Sequence, residues 1–121
     1  MLDLKNLKDK SAVVTGASMG IGAATVKMLA DYGCKVIFCS RNEEAVNQLA
    51  DSIKTKNEVK GFVADMGDEE STNNFIKEAL SLGPVDILVN NVGASPSRNF
   101  LYMTDDDWRS LHELNLLSAV R

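Results

Sequence analysis

Apolar and polar positions follow two different periods along this chain. Short runs rich in β-branched and aromatic residues predict four strands: "AVVT" (Ala12 to Thr15), "KVIFCS" (Lys35 to Ser40), "VKGFVA" (Val59 to Ala64) and "VDILVN" (Val85 to Asn90). Between them the apolar residues recur at helical spacing. Val26, Leu29, Ala30 and Gly33 form one stripe, Val46, Leu49 and Ile53 a second, and Thr72, Phe75, Ile76 and Ala79 a third. Gly33 stands where a left-handed C-cap is wanted, and Pro84 in "LGP" cannot continue the third helix. The last stripe, Trp108 and Leu111 followed by "LNLLSAVR" (Leu114 to Arg121), has no Gly, Asn or Pro after it to end a helix. The chain is therefore expected to be cut inside its fourth helix.

Strict strand and helix alternation implies right-handed crossovers, hence an α/β fold with a doubly wound parallel sheet. The expected strand order is 3-2-1-4, in one domain over residues 1–121. No internal repeat, low-complexity segment or dividing linker interrupts it. The longest irregular stretch, Asn91 to Thr104, follows the fourth strand. Ligands of such sheets bind outside the carboxyl ends of the strands, which puts this loop on the functional edge. The apolar "ILVN" edge and Leu114, Leu116, Leu117 or Val120 are expected to be exposed, and to drive self-association unless covered.

Composition narrows the class without changing that picture. The 121 residues are 45% hydrophobic and 25% charged, as in an average soluble globular domain. No apolar run approaches the roughly 18 residues that span a bilayer. The start, "MLDLKNLKDK", carries charges where a signal peptide needs an apolar core, so secretion is not expected. A net charge of −4 without a Lys/Arg cluster disfavours nucleic acid, and no basic amphipathic segment suits a membrane surface. Cys34 and Cys39 fall at the two ends of one strand-like run, about 17 Å apart on opposite faces. They are expected to be free thiols in a reducing compartment, consistent with the cytoplasm.

Candidate chemistry begins at "TGASMGIG" (Thr15 to Gly22), which leaves the first strand and opens the first helix. Its spacing, Gly16-x-x-x-Gly20-x-Gly22, suits a turn that needs positive φ and a backbone that a phosphate approaches closely. The helix N-terminus adds unpaired N–H groups and the positive end of its dipole. A tight strand-to-helix turn without any ligand would use such glycines too. Dinucleotide-binding sheets usually carry an acid at the end of the second strand, for the ribose 2′-hydroxyl. Here that place reads "CSRN". Ser40 can hydrogen-bond a 2′-phosphate and Arg41 can pair with its charge, which favours NADP(H) over NAD(H). The plainer alternative makes Ser40 the cap of the next helix and Arg41 a solvated charge.

Taken with Asp65 closing "FVAD" and with "NNVG" (Asn90 to Gly93), the glycine turn resembles the motif set of the short-chain dehydrogenase/reductase family. The resemblance covers the whole chain in order and implies a Rossmann-type fold. It implies a pyrophosphate held by Gly16, Ser18, Gly20, Ile21 and Gly22, an adenine beside Asp65 and Met66, and a nicotinamide-side ribose near Asn91 and Gly93. Met19 stands in the cofactor turn where NADP-preferring members often carry a second basic residue. Val92 replaces the usual Ala and is expected to crowd the cofactor slightly. Asn115 matches the Asn of the family's catalytic tetrad, which organises a water relay toward a catalytic Lys. Its spacing from Trp108 and Leu111 predicts that it shares their inward face; the plainer alternative is an Asn that only bonds neighbouring backbone.

The family's Tyr-x-x-x-Lys pair does not occur: Tyr32 is followed four residues on by Val36, and Tyr102 by Asp106. His112 reads as a helix-surface residue and its uniqueness excludes a multi-His metal site. "TDDDW" reads as an N-cap Thr104 with acids in a first turn, and "GDEES" likewise, so no metal is expected. The resemblance thus implies an NADP(H)-dependent oxidoreductase moving a hydride between nicotinamide and a small carbonyl/alcohol substrate, commonly as a homo-oligomer. This chain would be its cofactor-binding half, inactive alone. The competing reading is a non-enzymatic dinucleotide-binding module acting as a sensor or assembly partner. A methyltransferase on the same sheet is disfavoured, because it wants an acid where Ser40 and Arg41 stand.

Overall fold

A computed structural model describes residues 4–121; Met1, Leu2 and Asp3, the first part of the charged start, lie outside the described residues. Four strands, β1 (Ser11–Val14), β2 (Lys35–Ser40), β3 (Val59–Val63) and β4 (Ile87–Val89), form one sheet in the order β3-β2-β1-β4. Every pairing is parallel. The helices are α1 (Gly20–Asp31), α2 (Glu43–Ser52), α3 (Glu69–Ser81) and α4 (Asp105–His112). A π-helical turn (Glu113–Leu117) and a short α5 (Ser118–Val120) continue from α4. The expected α/β topology and strand order are those observed.

Alternation along β1 and β2 divides the core between the two faces of the sheet. Ala12, Val14, Val36 and Phe38 pack with Val26 and Ala30 of α1 and with Val46 and Leu49 of α2. Val13, Ile37 and Cys39 face the other way, toward Met66 and toward Phe75 and Ala79 of α3. The two cysteines are free and buried, Cys34 in the first cluster and Cys39 in the second, as their spacing predicts. Cys34 itself precedes β2 rather than opening it, and its thiol donates to the Leu7 carbonyl at 3.2 Å.

The ends of elements differ from expectation where a side chain or turn captures the backbone. β1 runs over Ser11–Val14, one residue earlier than predicted. Thr15 has left the strand, and its hydroxyl accepts the Asn91 N–H at 3.2 Å. β4 is shorter than Val85 to Asn90, because the Asp86 carboxylate takes the Ser11 N–H at 2.9 Å and holds the chain at the strand's entry. β3 ends at Val63, and the following Ala64 still donates to the Ser40 carbonyl. Gly33 (φ 86°) ends α1 and Gly83 (φ 128°) follows α3, both as predicted.

The fourth helix departs most. Thr104 caps α4 in a reciprocal box with Asp107, as its acidic first turn suggests. Trp108, however, is not inward: it is 48% exposed and meets Phe100 edge to face. The π turn then inserts one residue into the helical repeat, so the spacing that would align Asn115 with Trp108 and Leu111 no longer applies. Leu88 on the sheet edge (58% exposed) and Val120 (70% exposed) are open, as anticipated. No helix among the described residues is long and apolar enough to cross a membrane.

Candidate functional site

The glycine turn lies between β1 and α1 at the carboxyl edge of the sheet. Its backbone is tied to both neighbouring strands: Ala17 N–H donates to the Cys39 carbonyl at 2.9 Å, and Thr15 N–H to the Val89 carbonyl at 3.1 Å. Gly16 (φ 64°) and Gly20 (φ 56°) occupy the left-handed region. Gly22 is needed for contact: a Cβ there would stand 2.5 Å from the Asn91 amide nitrogen and 2.6 Å from the Gly16 carbonyl oxygen. A Cβ on Gly20 would meet nothing within 4 Å, so the turn leaves open space in front of that residue.

The start of α1 differs from the starts of α2, α3 and α4. Those three are capped by Asn42, Asp68 and Thr104 and carry acids in their first turns. Met19 precedes α1 without a side-chain cap, and no acid follows in the first turn. The free N–H groups and dipole end are thus neither satisfied nor neutralised by the chain's own side chains. Met19 (72% exposed) and Ile21 (80% exposed) project beside this opening.

A cleft of about 310 Å³ extends from the turn along the sheet edge, lined among others by Gly16, Ser18, Met19, Ser40, Arg41 and Asp65. Ser18 and Ser40 meet across it, with hydroxyl oxygens 2.7 Å apart. Ser40 does not cap α2. Asn42 does, accepting the Ala45 N–H at 2.9 Å, which removes the plainer reading of Ser40. Arg41 is exposed at the mouth. Asp65 is exposed and ordered locally, its carboxylate accepting the Gly67 N–H and its own N–H donating to Ser71 Oγ. Met66 also lines the cleft, yet the residue is only 5% exposed and packs in the core, so little of it reaches the opening.

Asn91 faces the glycine turn, its amide donating to the Gly16 carbonyl at 2.9 Å. Val92 stands against Gly16, its methyl 3.0 Å from where a Cβ would be, and the expected crowding falls first on that glycine. Asn115 is exposed rather than buried, and its amide pairs with Ala94 at both ends. Ala94 N–H donates to Asn115 Oδ1 at 2.8 Å, and Asn115 Nδ2 donates to the Ala94 carbonyl at 2.9 Å. Gly93 lies between, where a Cβ would come 3.1 Å from Asn115 Oδ1. Sequence reasoning missed Asn42, Ala64, Ala94 and Leu114 as cleft-lining residues, and the predicted Gly20, Ile21 and Gly22 do not line the cleft. Asn42 carried a legible cap signal in "NEEA"; Ala94 and Leu114 carried none.

Burial pushes the Cys39 thiol, directly behind the turn, up to about 11, partly offset by the Gly16 N–H. The Ser11 N–H, then Lys10, hold the Asp86 carboxyl below its usual range at the far end of the sheet. The Thr104 N–H and hydroxyl do the same for Asp107. None of these three groups lines the cleft. Among the described residues no three His, Cys, Asp or Glu side chains gather as metal ligands would.

The sequence profile of the short chain dehydrogenase family matches residues 10–121. The chain belongs to the short-chain dehydrogenase/reductase family. An uncharacterized oxidoreductase of Bacillus subtilis, YvrD, is 35% identical over 120 residues, covering 99% of this chain and 45% of that protein. The 3-oxoacyl-[acyl-carrier-protein] reductase FabG of Escherichia coli is 35% identical, covering 96% and 47%. Among solved structures, L-sorbose reductase from Gluconobacter frateurii, complexed with NADPH and L-sorbose, superposes with a TM-score of 0.88 at 29% identity, covering 93% of this chain and 44% of that one. A Serratia marcescens short-chain dehydrogenase/reductase gives 0.87 at 32%, covering 94% and 48%. The chain spans just under half the length of these relatives. Members of this family of oxidoreductases bind nicotinamide dinucleotides, and the uncapped, acid-free α1 start with open space at Gly20 fits a dinucleotide's pyrophosphate.

Proposed function

We propose that this chain is the dinucleotide-holding part of an NADP(H)-dependent oxidoreductase acting on a small carbonyl/alcohol substrate. The observation that carries the reading is the pairing of two features in one cleft. The α1 N-terminus is left uncapped, and the end of β2 presents Ser40 and Arg41 with no carboxylate. A 2′-phosphate would be met by a hydroxyl and a guanidinium, where a carboxylate would repel it.

In this reading Gly16, Ser18, Met19, Gly20, Ile21 and Gly22 surround the pyrophosphate. Asp65 and the backbone of Met66 flank the adenine, and Asn91 and Gly93 border the nicotinamide-side ribose. When bound, the nicotinamide supplies or accepts the hydride. The chain's own residues bind and orient. Asn91 holds the turn in shape, and Asn115 holds Ala94 at the start of the loop that leaves β4. By family resemblance Asn115 contributes to proton transfer; we propose that it does so by keeping this loop in register. The exposed Leu116 and Val120 support packing against a second copy, and the two free thiols a reducing, cytoplasmic setting.

Calorimetric titration with NADPH and NADH tests the cofactor reading. NADPH is expected to bind at least about tenfold tighter, a gap of ~1.4 kcal/mol, and Arg41→Asp to remove or reverse the preference. Equal affinities, or an unchanged ratio in Arg41→Asp, would overturn it. These 121 residues hold no Tyr-x-x-x-Lys pair. The 121-residue chain is therefore expected to oxidise no NADPH with a panel of ketones.

A further inference from the structure

We infer that Ser18, beside the pyrophosphate in that reading, is also a positioning residue for 2′-phosphate recognition, acting through Ser40 instead of touching the 2′-phosphate itself. The inference rests on the reading of this cleft as an NADP(H) site. Ser18 belongs to the glycine turn and Ser40 ends β2, 22 positions apart, yet their hydroxyls lie within 2.7 Å. Both are half-buried and line the cleft beside Arg41.

Each serine hydroxyl has one hydrogen to donate and two lone pairs to accept with. A bond between the two consumes one hydrogen and leaves the pair a single free donor. For Ser40 to turn that donor on a phosphate oxygen, Ser18 must donate to Ser40. The relay holds Ser40 in one rotamer and polarises its O–H, so its onward bond to an anion is strengthened. Ser40 is free for this role because Asn42, not Ser40, caps α2. The contact also joins the turn to the end of β2, so the pyrophosphate and 2′-phosphate subsites are set together. A ligand ending in a 2′-hydroxyl would gain about half as much from the relay, since charge-assisted bonds are about twice as strong as neutral ones.

The test compares adenosine 2′,5′-bisphosphate with adenosine 5′-monophosphate by calorimetry, on the unaltered chain and on Ser18→Ala, Ser40→Ala, Ser18→Thr and the double alanine variant. The readout is the ratio of the two affinities. Ser40→Ala is expected to lower it about tenfold and Ser18→Ala about three- to fivefold, in the range of one hydrogen bond to a charged group. The double variant should fall no lower than Ser40→Ala alone, and Ser18→Thr, which keeps the hydroxyl, should keep the ratio. An unchanged ratio in Ser18→Ala, a multiplicative loss in the double variant, or a Ser18→Thr that behaves like Ser18→Ala would overturn the inference. Equal weakening of both ligands by Ser18→Ala would overturn it too, by showing a role in the fold or at the shared 5′-phosphate and none at the 2′ position. If the unaltered chain does not prefer the bisphosphate, the NADP(H) reading fails first and takes the inference with it.

Discussion

The side-chain amide of Asn91 reaches the carbonyl of Gly16 at 2.9 Å across 75 positions of sequence. The same residue's backbone N–H bonds Thr15 Oγ1 at 3.2 Å, so the residue two places beyond β4 closes the loop that begins where β1 ends. A glycine turn has little stiffness of its own, because its left-handed residues were chosen for freedom. Asn91 supplies the stiffness from the neighbouring strand.

Asn91→Ala is therefore expected to lower stability by about 1–3 kcal/mol, the usual cost of orphaning a partly buried polar group. It should also weaken dinucleotide binding. Asn91→Asp should be worse, since it sets a carboxylate against a carbonyl. Urea denaturation and a NADPH titration check both; unchanged midpoints and affinities in the Ala variant would count against this role.

Gly20 and Gly22 should respond differently to alanine. At Gly22 the added methyl meets backbone atoms at 2.6 and 2.7 Å, which cannot rotate away. We expect Gly22→Ala to lose several degrees of melting temperature and dinucleotide binding together, as overpacking typically costs about 1–3 kcal/mol. At Gly20 the methyl enters open space, leaving only the left-handed strain of about 1–2 kcal/mol. Gly20→Ala should fold and bind the dinucleotide less well, because that open space is where a phosphate would lie. A Gly20→Ala chain binding as tightly as the original would show that the opening is not used.

The Cys39 thiol gives a dependence on alkaline pH with a definite sign. Burial raises its pKa from 9.0 to about 11, so above pH 9 the unfolded chain loses a proton that the folded chain keeps. Stability conferred by the neutral thiol is full below pH 9 and declines up to about pH 11, by roughly 3 kcal/mol at ~1.4 kcal/mol per unit. Denaturation curves for the original chain and Cys39→Ala should converge or cross over that window. Curves that stay parallel would mean that the thiol ionises in the fold as easily as in water.

Asn115 and Ala94 form a closed two-bond pair, so the exchange of one backbone amide reports on it. In Asn115→Ala the Ala94 N–H should exchange with deuterium about fivefold or more faster, the scale of one ordinary hydrogen bond. The amide of Ala17, bonded to Cys39, should be unaffected. Equal acceleration at both would point to general loosening.

Much of this protein was legible in its sequence, because local chemistry and period decide it. Alternation in "KVIFCS" sent Val36 and Phe38 to one face and Ile37 and Cys39 to the other. Gly33 stopped α1, and Thr104 with Asp107 started α4, by chemistry that needs no distant partner. The family and its glycine turn were visible for the same reason, since spacing within a turn is a local property.

What only the tertiary structure decided are the contacts whose partners lie far apart in sequence. Nothing near Ser40 announces that Ser18 will meet its hydroxyl, and nothing near Asn91 that its amide will close on Gly16. The helical spacing of Asn115 predicted an inward, buried amide. The π turn and the Ala94 backbone moved it to an exposed edge, because a side-chain amide can match both hydrogen-bonding groups of a peptide that the folded loop brings alongside. The sequence by itself determined the four strands and the first three helices, their order and the faces they bury. Which polar groups of neighbouring loops satisfy one another was left to the packing of the sheet, which alone sets the distances between β1, β2 and β4 at their carboxyl ends.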